Sequence, residues 1–318
     1  MLTYLARRLL VALLLAFGVA TVTFALVWFA PGDDRAELLL RGVDTGPTFE
    51  VEPPLLEAYG EWLGGLVRGD LGRSRTRGPV AERYLDVLPH TAALSLAGLA
   101  LAILFGVGTG VLQAARRGSL TDRVLGITTA VFYAAPSFWV GILLAGVFVY
   151  LPIQSGRAPL LPLSGVAPAG GARGVLDFVP YLVLPALTLG LVLGAGIARF
   201  TRTSMLEVLE QDYVRAARAR GIGESRVLAR YGLRTALLPL ISLLGVYLPL
   251  LLTGAVFVEV VFERIGVGRT MVDAIARQDL PMVVGGALLF GFATVAGNLV
   301  ADLLYGWADP RIGDASGG

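Results

Sequence analysis

At 318 residues, 55% apolar and with a mean hydropathy of +0.72, the chain lies outside the range of an ordinary soluble domain. Its formal charge is only +2, yet all 26 basic residues are arginine; without lysine a Walker A loop cannot reach the nucleotide phosphates, so the chain is not itself a P-loop ATPase. The absence of cysteine excludes disulfides and thiolate metal sites, and the single histidine makes neither a metal centre nor a catalytic dyad.

Six charge-free runs, each of roughly 20 residues or more, predict an all-α membrane protein with six spans, because at about 1.5 Å per residue each run covers a hydrocarbon core of roughly 30 Å. The first run, Leu9 to Gly32, gives a span over 9–30. Arg7 and Arg8 before it look like the start of a secretion signal, but the apolar stretch is too long and lacks a small-x-small cleavage site, so it is read as a retained helix. Residues 31–90 are expected to form a small external cap, with turns at Pro31-Gly32-Asp33, Pro53-Pro54 and Arg68-Gly69-Asp70-Leu71-Gly72 and an amphipathic patch from Leu55 to Leu66. The second span is 91–115, with Gly106 and Gly110 four apart for close helix approach. The run from Val124 to Gly156 is too long for one helix; Pro152 and Ala158-Pro159-Leu160-Leu161-Pro162 place its end near Tyr150, giving a third span over 124–150, kinked at Pro136, and an irregular external loop over 151–177. The fourth span, 178–198, carries Pro185 as a second kink and the pair Gly190 and Gly194.

Residues 199–234 are polar, arginine-loaded and longer than a connection between two spans requires. Asp212 to Arg220 reads as a short helix with little bulk at Ala216, Ala217 and Ala219. Gly221 and Gly223 break it, Gly221 being free to adopt positive φ. Ser225 is placed to cap a second helix whose Val227, Leu228, Tyr231 and Leu238 recur at helical spacing. The fifth and sixth spans follow at 235–258 and 280–301. Glu259 and Glu263, i and i+4, are expected on one helix face at the outer end of the fifth span, either as an external gate or as a solvated helix end. Arginine in short loops places both termini and the 199–234 segment in the cytoplasm. On these residues alone three other functions stay open: a lipid-bound amphipathic hairpin, an ion-coupled carrier or channel, and an intramembrane enzyme. The last lacks His-Glu-x-x-His, Gly-x-Gly-Asp and a serine with an intramembrane histidine.

Several motifs, in order and spacing, are similar to one family. Arg215-Ala216-Ala217 is followed after three residues by Gly221, with Arg202-Thr203-Ser204-Met205-Leu206-Glu207-Val208-Leu209 ahead of it. Leu5 to Gly32, Gly69-Asp70-Leu71-Gly72-Arg73-Ser74, Gly266-Val267-Gly268-Arg269, and Asp302-Leu303-Leu304-Tyr305-Gly306 through Asp309-Pro310-Arg311 complete the pattern. Together they resemble the inner-membrane permease subunits of binding-protein-dependent ABC importers, in particular the dipeptide, oligopeptide and nickel group. Two departures are an arginine at 215 where the motif has glutamate, and Arg234 where the consensus has proline. The resemblance implies a single permease domain over 1–318, with no catalytic residue, cofactor, metal or nucleic acid. It implies a coupling helix seated in a groove of an ATPase subunit, carried over to Asp212, Tyr213, Arg215, Ala216, Ala217, Arg218, Gly221 and Ser225. The implied partners are a second homologous permease, two cytoplasmic ATPases, an external solute-binding protein and membrane lipid. The implied activity is peptide import by alternating access in a bacterial cytoplasmic (inner) membrane.

Overall fold

The computed structural model describes residues 2–29, 54–74, 76–167, 174–236, 247, 251 and 255–308. They are mostly helical. In chain order these are α1 (Leu2–Trp28), α2 (Leu55–Val67), the short strands β1 (Arg73–Ser74) and β2 (Gly78–Pro79), α3 (Val80–Ala115), α4 (Leu120–Ala134) and α5 (Ser137–Ala145). Then come α6 (Val179–Leu209), α7 (Asp212–Ala219), α8 (Glu224–Arg226, continued by a π-helical stretch Val227–Leu233), α9 (Val267–Ala276) and α10 (Leu280–Ala308). Among the described residues, five stretches are long and apolar enough to cross a membrane: Ala6–Trp28, Val80–Ala115, Ser137–Gln154, Leu176–Leu209 and Leu280–Leu303. The span expected over 235–258 lies largely outside the described residues, as do residues 30–53 of the expected cap.

Several boundaries differ from the charge-free runs. α3 begins at Val80 rather than at 91, with Pro89 inside it, so the last turns of the expected cap belong to the helix. The third run is broken rather than kinked: Ala135 (ψ 134°) and Pro136 (ψ 140°) are extended between α4 and α5. Pro136 caps α5 instead of bending one continuous helix, as its fixed φ and missing N–H favour. Helical turns then continue through a π-type stretch, Gly146–Tyr150, to Gln154, past Pro152, and the Phe148 carbonyl that Pro152 has no N–H to reach accepts from Leu160 N–H at 2.9 Å. α6 runs eleven residues beyond the expected end of the fourth span, to Leu209, since charge marks the end of the apolar surface and not of the helix. α9 has no counterpart in the expected elements.

The chain divides into two compact units, Met1–Thr91 with Ile265–Leu299, and Ala92–Arg264 with Val300–Gly318. In the first, Val80, Tyr84, Val87, Val267, Ala274 and Met282 form one buried cluster, and Ala20, Val27, Val284 and Leu288 another. Phe24 sits among Trp28, Tyr59 and Trp62, with ring centroids 5.1–5.7 Å apart. Tyr84 donates a 2.6 Å hydrogen bond to the Met282 carbonyl, and β1–β2 is tied to the start of α10 by Ser74 Oγ donating to Asp279 at 2.6 Å.

The second unit is built on the crossing of α3 and α6. A Cβ at Gly106 would lie 2.6 Å from Ile197 Cβ and 2.7 Å from the Gly194 carbonyl; one at Gly110 would lie 2.6 Å from the Ala198 carbonyl; one at Gly190, 2.7 Å from Leu101 Cβ. The two glycine pairs expected to allow close approach therefore face each other's helix. Leu94, Leu184, Leu189, Leu251, Val258 and Phe262 fill the main core of this unit.

Candidate functional site

The arginine-rich segment folds into a compact hairpin at the end of α6. α7 ends as a Schellman motif: Gly221 N–H donates to the Arg218 carbonyl at 2.9 Å and Ile222 N–H to the Ala217 carbonyl at 3.3 Å, with Gly221 at φ +76°. The expected glycine turn is thus present. α8 starts two residues earlier than expected, because the turn ends at Gly223, whose carbonyl accepts from Arg226 and Val227. Ser225 therefore lies inside the first turn and is not the cap.

Arginines hold the hairpin to α6. Arg215 Nη2 donates to the Glu210 carbonyl at 2.9 Å and Arg218 Nη1 to the Leu209 carbonyl at 3.4 Å, so two guanidinium groups cover C-terminal carbonyls that a helix leaves unpaired. Arginine at 215 serves this purpose where a carboxylate would be repelled. Arg218 also spans the glycine turn in a two-point pair with Glu224, 2.7 and 3.1 Å, which holds the Glu224 carboxyl below its ordinary range. Arg117 pairs with Glu210 at 2.7 Å. Tyr213 Oη donates to the Tyr231 carbonyl at 3.4 Å.

Burial sorts the site residues into two sets. Val214 and Ala217 of α7 and Val227 and Gly232 of the following helix are turned inward, and a Cβ at Gly232 would lie 2.9 Å from Met205 Cε of α6. Asp212, Tyr213, Arg215, Ala216, Arg218, Gly221 and Ser225 are exposed. Ala217 is fully buried in its own chain, so its small volume serves the hairpin's interior; the small residue on the outer face is Ala216.

One pair at this end has no counterpart among the expected site residues. Arg202 of α6 grips Asp122 with Nε at 2.9 Å and Nη2 at 3.0 Å, while Gly118 N–H donates to the same carboxylate at 3.0 Å. The Arg202 hydrogen bonds first, and the Gly118 N–H second, hold the Asp122 carboxyl below the usual carboxylate range. Ser119 caps α4 by accepting from Asp122 N–H. The Ser119-x-x-Asp122 spacing, with Asp122 the sole acid between Ala115 and Val124, was the available signal.

Glu259 and Glu263 do not share a helix face. The helix over 255–261 ends in a second Schellman motif, Glu263 N–H to Val260 carbonyl (3.2 Å) and Arg264 N–H to Glu259 carbonyl (2.8 Å), which puts Glu263 at φ +46° and exposes it. Glu259 is fully buried, in the field of the buried Arg264, whose Nη1 donates to the Tyr181 carbonyl at 3.3 Å.

Residues 102–314 match the family described as binding-protein-dependent transport system inner membrane component. Over 98% of the chain and 99% of each relative, the sequence is 39% identical to a di/tripeptide transport system permease protein of Pseudomonas aeruginosa (strain UCBPP-PA14) and 36% identical to an oligopeptide transport system permease protein of Bacillus subtilis (strain 168). It is 35% identical to a dipeptide transport system permease protein of Escherichia coli (strain K12) over the same shares.

Proposed function

The chain belongs to the family of inner membrane components of binding-protein-dependent transport systems, and from that premise we propose that it forms one half of the translocation pathway of an ATP-driven importer of di- or oligopeptides. It supplies no chemistry to hydrolysis. A second, homologous permease completes the pathway, an external solute-binding protein delivers cargo, and two ATPase subunits drive it. In this reading the chain has six spans, a single permease domain, and both termini and residues 199–234 on the cytoplasmic side.

The observation that carries the reading is the α7–α8 hairpin. Closure of an ATPase dimer moves cargo only if the displaced element is rigidly continuous with a span, and here arginine-to-carbonyl bonds, the buried Val214 and Ala217, and Gly232 against Met205 join the hairpin to α6. Its outer face presents Tyr213, Ala216 and Arg220, flanked by Asp212 and Arg215. A helix lying on lipid needs an apolar stripe turned outward. α7 turns its apolar Val214 and Ala217 inward, which favours a protein groove over a bilayer as the docking surface. Movement of the hairpin then rocks α6 and its neighbours between outward- and inward-facing arrangements.

Two substitutions separate docking from folding. Ala216→Glu adds charge and volume on the outer face, and is expected to abolish uptake and ATPase co-purification while the chain stays inserted and abundant. Ala217→Glu, which buries an unpaired charge in the hairpin itself, is expected to lower the protein's abundance as well. Full uptake with normal ATPase association in Ala216→Glu rules out docking by this face.

A further inference from the structure

α6 carries a second arginine whose side chain points away from the polar end. The Arg199 guanidinium lies over the Tyr133 ring, 4.8 Å from its centroid. Tyr133 is ten residues past Arg123, the last charge before the third apolar run, which places it about 15 Å along the helix from that charge. It also stands two residues before the extended Ala135–Pro136 break. Arg202, one turn further along α6, pairs with Asp122 at the start of α4 and marks the polar boundary. Arg199 is therefore turned toward the apolar interior, opposite to the direction in which a long cation near a helix end snorkels.

Three further features bear on this position. A cation–π contact does not use up the five N–H donors of a guanidinium and leaves some of them available to a carboxylate. No carboxylate pairs with Arg199 among the described residues, and the fifth apolar run, Thr235 to Val258, contains none. Gly196, one turn before Arg199, makes room for two phenols: a Cβ there would lie 2.5 Å from Tyr247 Oη and 3.4 Å from the Tyr133 ring. A cation facing hydrocarbon without a counter-charge is costly, so such a residue faces a water-filled cavity or a ligand. Irregular backbone at membrane depth obeys the same rule, and the Ala135–Pro136 break adjoins the cluster.

We infer that Arg199, held by Tyr133 and flanked by Tyr247, is a cargo-contact site that receives the C-terminal carboxylate of a peptide in transit. The inference rests on the peptide reading above and adds a residue that discriminates by charge. The two readings fail separately in one assay: the complete importer, free of cysteine, in proteoliposomes with its binding protein and trialanine as probe. If the unsubstituted importer does not carry trialanine, the peptide reading falls, and the site is decided by reagent access alone. Arg199→Cys is expected to lose about 10-fold or more of uptake, equivalent to roughly 1.4 kcal/mol, with ATPase association unchanged. A cationic aminoethyl thiosulfonate should restore much of that loss and an anionic sulfonatoethyl reagent none, with trialanine slowing both reactions. Arg199→Lys is the variant more tolerant of folding constraints. Relative to the unsubstituted importer with the same binding protein, it should narrow the preference for trialanine over its C-terminal amide. Unchanged uptake in Arg199→Cys, equal rescue by both reagents, or a cysteine that neither reagent reaches because lipid or the second permease covers it would each overturn the site.

Discussion

The two compact units differ in what holds each together. In the first, polar side chains end on backbone or on each other in short bonds: Tyr84 on the Met282 carbonyl, Val267 N–H on Thr91 Oγ1 at 2.8 Å, and Ser74 on Asp279. The second holds helices interrupted within their length, at the Ala135–Pro136 break and the π-helical stretches Gly146–Tyr150 and Val227–Leu233, and it holds the arginine–carboxylate pairs 202–122, 117–210 and 218–224. Regular helices bonded side chain to backbone resist displacement. Interrupted helices whose ends are joined by charge are the ones able to move as bodies, and π-type stretches recur at functional positions. On the function proposed above, the second unit is the one that transmits motion and the first its support.

The largest expected effect comes from the α3–α6 crossing. Gly106→Ala meets backbone and a branch-point carbon, the Gly194 carbonyl and Ile197 Cβ, neither of which can rotate away, and is expected to destabilise by about 1 to 3 kcal/mol. Gly285→Ala in the first unit has only side-chain atoms as its nearest neighbours, chiefly Val80 Cγ1, which a tilt of χ1 within its rotamer well can relieve, for about 0.5 to 1.5 kcal/mol. Thermal unfolding of the purified complexes in detergent ranks the two; the reverse order breaks the comparison.

Next is Asp122→Asn, which removes the carboxylate that Arg202 and Gly118 grip, a loss of about 1 to 2 kcal/mol for hydrogen bonds to a charged group whose arginine partner is partly screened by solvent. Its pH dependence has a fixed sign. The folded-state pKa lies below the unfolded value, so the stabilisation is complete above the ordinary carboxylate range and disappears as pH falls through the folded-state value. Stability curves of the unsubstituted protein and Asp122→Asn should therefore converge on acidification, whereas a constant gap at all pH values would show that the charge is irrelevant. The smallest effect belongs to Arg218→Gln, since its pair with Glu224 is largely exposed and worth under about 1 kcal/mol. That variant should leave unfolding nearly unchanged and show itself in coupling, as ATP hydrolysed per cargo molecule.

What the sequence disclosed follows from which physics leaves a local trace. Apolar runs, the small-residue spacing at Gly106, Gly110, Gly190 and Gly194, and the helix-then-glycine pattern up to Gly221 are local signals, and the described residues contain a span in five of the six runs and both of the other features. Helix ends are different. Hydropathy locates the bilayer boundary, so the apolar run stops at Ala198 while α6, bonded along its backbone, continues to Leu209. Glu263 and Gln278 take positive φ, +46° and +57°, in turns where glycine would be the expected marker, which is why the ends at 261 and Ala276 left no sign. The burial of Ala217 rather than Ala216 depends on the return of α8 against α6, a tertiary fact with no trace in a run of alanines.

The central claim is that the α7 hairpin of the second unit, and nothing in the first, meets the ATPase. A chain with no cysteine of its own allows a direct measurement: single cysteines at Ala216 in α7 and at Val272, exposed on α9, each tested for cross-linking to the ATPase subunits in the assembled importer. The account predicts a cross-link from position 216, altered in yield when ATP is bound, and none from position 272. A cross-link from 272, or none from 216 in a transport-competent complex, would contradict it.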